Sequence, residues 1–304
     1  MAKKLNASTP TVDDVQKLKA MLWAAPAARD SSISRPPGRA APLFRAASAA
    51  ARAPAMTIVA EGDSWFDYPP GLDILDQLKL RHKYDIVKLA QAGDTIENIA
   101  FGTLFDRNFG RPEPQINVLM GEVDRIRPRV VLLSGGGNDV AGDQFAGFLN
   151  HADSGLPHLR MSHVKDVIHG VVKKAFERIA GEIWKIDSTI AIVTHGYGYP
   201  IPDGTAVFNF PFGYRFLGPW LRPALVSKNI TKLGDGKEIL KTIIDEFNTM
   251  LAGLQTNLSG PFRFVDLRDT IKTRDWVNEL HVSSESYGRC ADKFHELIKS
   301  LLVA

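Results

Sequence analysis

The 304-residue chain contains one cysteine, Cys290, which excludes an internal disulfide and, by itself, a thiolate metal site. No apolar run approaches the roughly 18 residues a membrane-spanning helix needs. Charged residues make up 23% and hydrophobic ones 44%, a composition neither disordered throughout nor membrane-embedded. The formal charge is only +3 and unevenly spread: residues 1–55 hold nine basic residues against Asp13, Asp14 and Asp30, a net of +6, so the remainder stands at −3. A slightly acidic body lacks the electrostatic footprint of a nucleic-acid-binding protein, and no nucleic-acid partner is expected. The segment after Lys3 and Lys4 has no apolar stretch fit for a secretory signal, so a cytoplasmic location is the expectation.

This length fits one large domain or at most two. Residues 1–55 form a basic arm rich in Ala, Pro and Arg, with a linker-like Ser34-Arg35-Pro36-Pro37-Gly38 stretch. Thr11 and Asp14 make a capping pair, and Val12, Val15, Leu18 and Leu22 recur at helical spacing, which predicts one short amphipathic helix there. From residue 56 to 304 short β-branched runs alternate with longer amphipathic stretches. Strands are expected at 57–60, 84–89, 129–133, 189–194 and 263–267. Helices are expected near 72–82, 94–104, 114–126, 163–186, 237–257 and 285–302. Strands that are apolar on both faces and separated by helices predict a parallel sheet covered on both sides, an α/β protein with three α/β/α layers. Functional residues in such sheets gather at the carboxyl ends of the strands.

Four short blocks stand where that rule directs attention. Glu61-Gly62-Asp63-Ser64-Trp65 follows the first strand, Ala92-Gly93-Asp94-Thr95 the second, and Ser134-Gly135-Gly136-Gly137-Asn138-Asp139 the third, while Asn278-Glu279-Leu280-His281 precedes the last helix. An unassisted serine hydroxyl is a weak nucleophile, and an imidazole within hydrogen-bond reach can remove its proton during attack on an ester carbonyl. Ser64 and His281 are the candidates. The negative charge that then develops on the former carbonyl oxygen calls for fixed donors. Gly93 permits close backbone approach, and Asn138 offers an uncharged amide.

Over residues 56 to 304 the chain resembles the SGNH, or GDSL-type, hydrolases, with the four marker residues matched by Ser64, Gly93, Asn138 and His281. The resemblance implies a flavodoxin-like domain with a five-stranded parallel sheet. It also implies Ser64 as acyl-accepting nucleophile, His281 as general base, and an oxyanion hole made by the backbone N–H of Ser64 and Gly93 and the Asn138 amide. The sequence departs from that family three residues before the histidine, where Asn278 replaces the usual Asp. A neutral amide oxygen can still hold the imidazole's tautomer but not stabilise imidazolium by full charge. Asn278, Glu279 and Asp275 all remain candidates for orienting His281, and Asp63 is read as bracing the nucleophile turn.

Residues 197–220 concentrate eight of the 27 aromatic residues, among them Tyr197, Tyr199, Phe210, Phe212 and Trp220, and six prolines and glycines from Gly198 to Gly213 preclude a long helix. Such a loop is expected either to wall the substrate site or to anchor itself on the core. His151, His158, His163 and His169 lie close in sequence, but none is spaced as a helical metal pair, and no metal or organic cofactor is expected. The reading is a serine hydrolase of carboxylic esters, small-molecule or lipid, with an apolar or aromatic acyl or alcohol group. Its rivals are a lipid-directed acyltransferase or lysophospholipase brought to a membrane surface by the basic arm, and a non-catalytic binding protein on the same fold.

Overall fold

The computed structural model describes residues 57–68, 71–103, 113–209 and 215–303. The basic arm with its expected short helix lies outside the described residues, as do Phe210 and Phe212.

Five parallel strands form the central sheet: β1 (Thr57–Glu61), β2 (Asp85–Lys88), β3 (Val130–Leu133), β4 (Ala191–His195) and β7 (Phe262–Val265), in the order β2-β1-β3-β4-β7. This is the flavodoxin-like, doubly wound arrangement, with its switch point between β1 and β3. The strands fall where the β-branched runs predict them. Every residue of β3 and β4 is buried, which is why those strands are apolar on both faces. A second, two-stranded antiparallel ribbon, β5 (Phe208–Asn209) with β6 (Arg215–Phe216), rises within the aromatic loop and was not foreseen.

Helices α1 (Ile74–His82) and α8 (Ser284–Val303) pack against each other on one face of the sheet. Helices α2 (Ile96–Phe101), α3 (Ile116–Ile126), α5 (Lys173–Ile186) and α7 (Leu233–Asn257) cover the other. The stretch predicted as one helix over 163–186 is α4 (Met161–Lys165), a π-helical turn (Asp166–Val172) and α5, and the π turn buries Ile168 and Val172. A 3₁₀ helix, Gly142–Phe148, and the short α6 (Arg222–Ser227) were not predicted. The first has no amphipathic period to find, and the second is a single turn and a half opened by Pro223 within a loop-like stretch.

Local sequence sets where the site-bearing turns begin. Asp73 caps α1 by accepting the Asp76 N–H at 2.9 Å, and Thr95 caps α2 by accepting the Asn98 N–H at 3.0 Å. Gly62, just past β1, is pressed against β3's exit: a Cβ there would stand 2.5–2.7 Å from the Ser134 backbone and Cβ. Gly62→Ala is therefore expected to destabilise the fold by about 1–3 kcal/mol, the usual cost of overpacking, measured as a lowered midpoint in urea unfolding.

Candidate active site

The turn after β1 is built around Asp63. Its Oδ1 accepts the Trp65 N–H (2.9 Å) and the Ser134 hydroxyl (2.5 Å), and its Oδ2 accepts the Tyr197 hydroxyl (2.7 Å). Ser134 lies at the end of β3, 2.8 Å from Nε2 of His195, the last residue of β4. Asp63 is 1% exposed, so its acceptors need the partners these strand ends supply. The expected brace on the nucleophile turn is thus a buried network tying the exits of β1, β3 and β4.

Next to it, Ser64 Oγ stands 2.8 Å from His281 Nε2, and His281 Nδ1 lies 3.0 Å from Asn278 Oδ1. That amide oxygen also accepts the N–H groups of Leu280 and His281, both at 3.0 Å, which fixes it as the oxygen end. Nδ1 therefore carries the proton, and Nε2 presents its lone pair to the serine hydroxyl. No charged group offsets the burial of the ring, which pulls the His281 pKa down to about 3.

The other two candidates for orienting His281 are engaged elsewhere. Asp275 Oδ2 accepts the Lys272 N–H (2.7 Å) and pairs with Arg289 (2.6 Å). Glu279, fully buried, accepts four backbone N–H groups: Gly204 and Arg222 on Oε1, Trp220 and Leu221 on Oε2, at 2.6–3.0 Å. It caps the start of α6 and fastens both ends of the aromatic loop to the histidine loop. Sequence spacing shows a carboxylate near His281 but not which way it turns.

Asn138 Nδ2 donates to the carbonyl of Asp94 (2.8 Å), the residue after Gly93. Asp139 accepts the N–H groups of Ile96 (2.9 Å) and Glu97 (3.1 Å) at the start of α2, and burial pushes its carboxyl up to about 6. Adjacent residues thus lock the Gly93 and Asn138 turns together. Gly93 has φ +89°, a conformation that suits glycine, and open space where a Cβ would stand.

Ser64 and Asn138 open onto a cavity of about 60 Å³ whose far wall is apolar, with Val140, Phe145, Leu221, Ile243 and Ile244 among its residues. Gly93 is not among its lining residues. Of the expected substrate-binding aromatics, Tyr197 lines this cavity while its hydroxyl is held by Asp63. Tyr199 does not line it; its hydroxyl donates to Asp245 on α7 at 2.7 Å. Trp220 lies 5.8 Å from the His281 ring at 76° and borders a separate groove of about 290 Å³. Tyr68, which sequence reading passed over, stacks on His281. The clustered histidines form no metal site: no group of three or more potential ligands exists among the described residues. Among those residues, too, no helix is long and apolar enough to cross a membrane.

No family model matches the chain, and no curated protein matches it. Solved structures do. A family 3 carbohydrate esterase from Clostridium thermocellum is 13% identical over 82% of this chain and 98% of its own, with a TM-score of 0.46. The lipase Lip_vut3 from a goat rumen metagenome is 16% identical over 79% and 96%, at 0.49, and phospholipase A1 from Streptomyces albidoflavus NA297 is 12% identical over 80% and 99%, at 0.48.

Two expectations follow from the buried acids. Glu279→Gln puts an amide NH₂ against two N–H donors and leaves them unpaired, so the variant should lose about 2–5 kcal/mol in chemical unfolding. Glu61, at the end of β1, is buried with Oε1 on the Gly62 N–H and Oε2 without a partner among the described residues, and burial raises its pKa from 4.5 to about 8. The folded state then holds that proton more tightly than the unfolded one, so Glu61's contribution to stability is lost as pH rises from 4.5 to 8. Glu61→Gln should remove that loss, read between about pH 6.5 and 8 in thermal melts; below that window Asp139 adds to the slope and His281, held neutral by burial, opposes it.

Proposed function

We propose that the protein is a serine ester hydrolase that works through an acyl-enzyme on Ser64. The observation that carries this reading is the relay Ser64 Oγ, His281 Nε2, His281 Nδ1, Asn278 Oδ1, with links of 2.8 and 3.0 Å, at the mouth of an apolar cavity. Ser64 Oγ attacks the ester carbonyl while its proton passes to Nε2. The charge on the tetrahedral oxygen is met by the N–H groups of Ser64 and Gly93 and by the Asn138 amide. As the carbonyl re-forms, the C–O bond to the alcohol breaks and His281 returns the proton to the departing oxygen. Water, deprotonated by His281, then releases the acid and restores the serine.

The acyl group occupies the apolar cavity. Its apolar lining, with Val140, Phe145, Leu221, Ile243 and Ile244, suits an apolar acyl group. The aromatic loop joins the site through Tyr197 in the cavity wall and Trp220 beside His281.

Intact-mass detection of a fluorophosphonate adduct tests the nucleophile. One adduct is expected on the wild type, none on Ser64→Ala, and labelling should slow by about 10²- to 10⁴-fold on His281→Ala. A folded wild type that takes no label sinks the hydrolase and moves the reading to a binding protein. Since His281 must be neutral to act and its pKa lies near 3, kcat/KM should hold to about pH 4 and fall only below it. Asn278→Asp, by placing a negative charge on Nδ1, should move that acid limb toward neutral pH in a pH–rate profile.

A further inference from the structure

His281 lacks the counter-charge that its role as base calls for. When it takes the Ser64 proton it becomes an imidazolium that is 5% exposed, with a neutral amide on Nδ1. The neighbouring carboxyl groups have other partners: Asp63 has Ser134 and Tyr197, Asp73 has Lys88 and the Tyr68 and Asp76 N–H groups, Asp275 has Arg289, and Glu279 has four backbone N–H groups. What covers the ring is Tyr68. Its phenol lies over the imidazole with centroids 4.3 Å apart and planes 23° apart, and its Oη accepts the Asn278 Nδ2–H at 3.1 Å. One side chain therefore touches both members of the His–Asn pair. Tyr68 is itself held from behind by Tyr287, 6.0 Å away, and by its backbone N–H on the Asp73 carboxyl at 3.3 Å.

We propose that Tyr68 is the positioning residue of this site: its π face stabilises the His281 imidazolium where a carboxylate is missing, and its hydroxyl completes the hydrogen bonds of Asn278. The inference rests on the Ser64–His281 reading above. A desolvated cation over an aromatic face gains from the negative face of the ring's quadrupole, whereas a neutral imidazole gains much less, so the contact acts on the protonated state. The hydroxyl gives the buried Asn278 amide a partner for the N–H that would otherwise point at an aromatic ring.

The test separates π density from shape. Tyr68→Phe keeps the stacked ring and removes Oη; kcat should fall about two- to tenfold with KM unchanged. Replacing Tyr68 instead with a trifluorinated phenylalanine of nearly the same shape withdraws π density. It should lower kcat a further threefold to thirtyfold, about the range for a desolvated cation–π contact. In an Asn278→Asp background that further loss should shrink, because a carboxylate then supplies the charge. A packing role predicts no difference between the two rings. A readout without turnover keeps this separate from the hydrolase reading: in Asn278→Asp proteins, NMR titration of labelled His281 should give a pKa about half a unit lower with the fluorinated ring than with Phe. Equal kcat and equal His281 pKa for the two rings overturn the proposal. Equal pKa values alone overturn it if the wild type proves to have no esterase activity.

Discussion

The exits of β1 and β3 stand so close at Gly62 and Ser134 that no side chain fits between them, and the placement of the site descends from that contact. Bringing the two turns together lets one Asp63 carboxylate accept from Trp65 N–H, Ser134 and Tyr197 at once, with His195 behind Ser134. Burying such a group with one partner missing would be costly, so the network is satisfied only when all three strand ends are in register. Ser64 is the next residue along the chain. Its position is therefore set by the sheet rather than by its own contacts, as the role proposed for it requires.

The histidine arrives from 217 residues away and needs a separate device. Trp65 Nε1 donates to the Leu280 carbonyl at 3.2 Å, and Glu279 draws four N–H groups from Gly204 and from Trp220 to Arg222 onto one buried carboxylate. The first bond ties the histidine loop to the nucleophile turn. The second ties it to the loop that carries the aromatic residues. An acid two residues before His281 thus serves architecture, while the contact with the ring nitrogen falls to Asn278.

What the sequence reveals follows physical range. The five strands are legible because burial on both faces leaves an apolar signature within each strand, and the strand-end rule then singles out Ser64, Gly93 and Asn138 without knowledge of contacts. The Asn278 oxygen could be named only as one of three possibilities, since Asn278, Glu279 and Asp275 lie within four residues and the turn that separates their directions is set by bonds to Thr205, Trp220 and Arg289. Tyr68 was missed for a related reason. It sits outside every motif, and its meaning comes from stacking on a ring 213 positions later. Tyr199 shows the converse: an aromatic-rich segment marks a loop that packs but does not say which rings face the cavity, and this one turns to Asp245.

A neutral His–Asn pair changes the balance of the site in a definite direction. With a carboxylate behind it, a buried imidazole has its charged form stabilised whether or not a substrate is present. With an amide, the resting ring stays neutral down to low pH, as the pKa near 3 expresses, and is always ready to accept a proton. The cost moves to the step in which the proton is accepted, because the imidazolium has no full negative charge beside it. In the proposed mechanism the counter-charge of that step would be the oxyanion, formed at the same moment. Under the proposal, the Tyr68 face would act whenever the ring is protonated, and the oxyanion only while it exists. Because the resting ring is neutral, both interactions would be absent from the ground state and would favour the proposed acylation step, the arrangement that raises a rate instead of merely tightening binding.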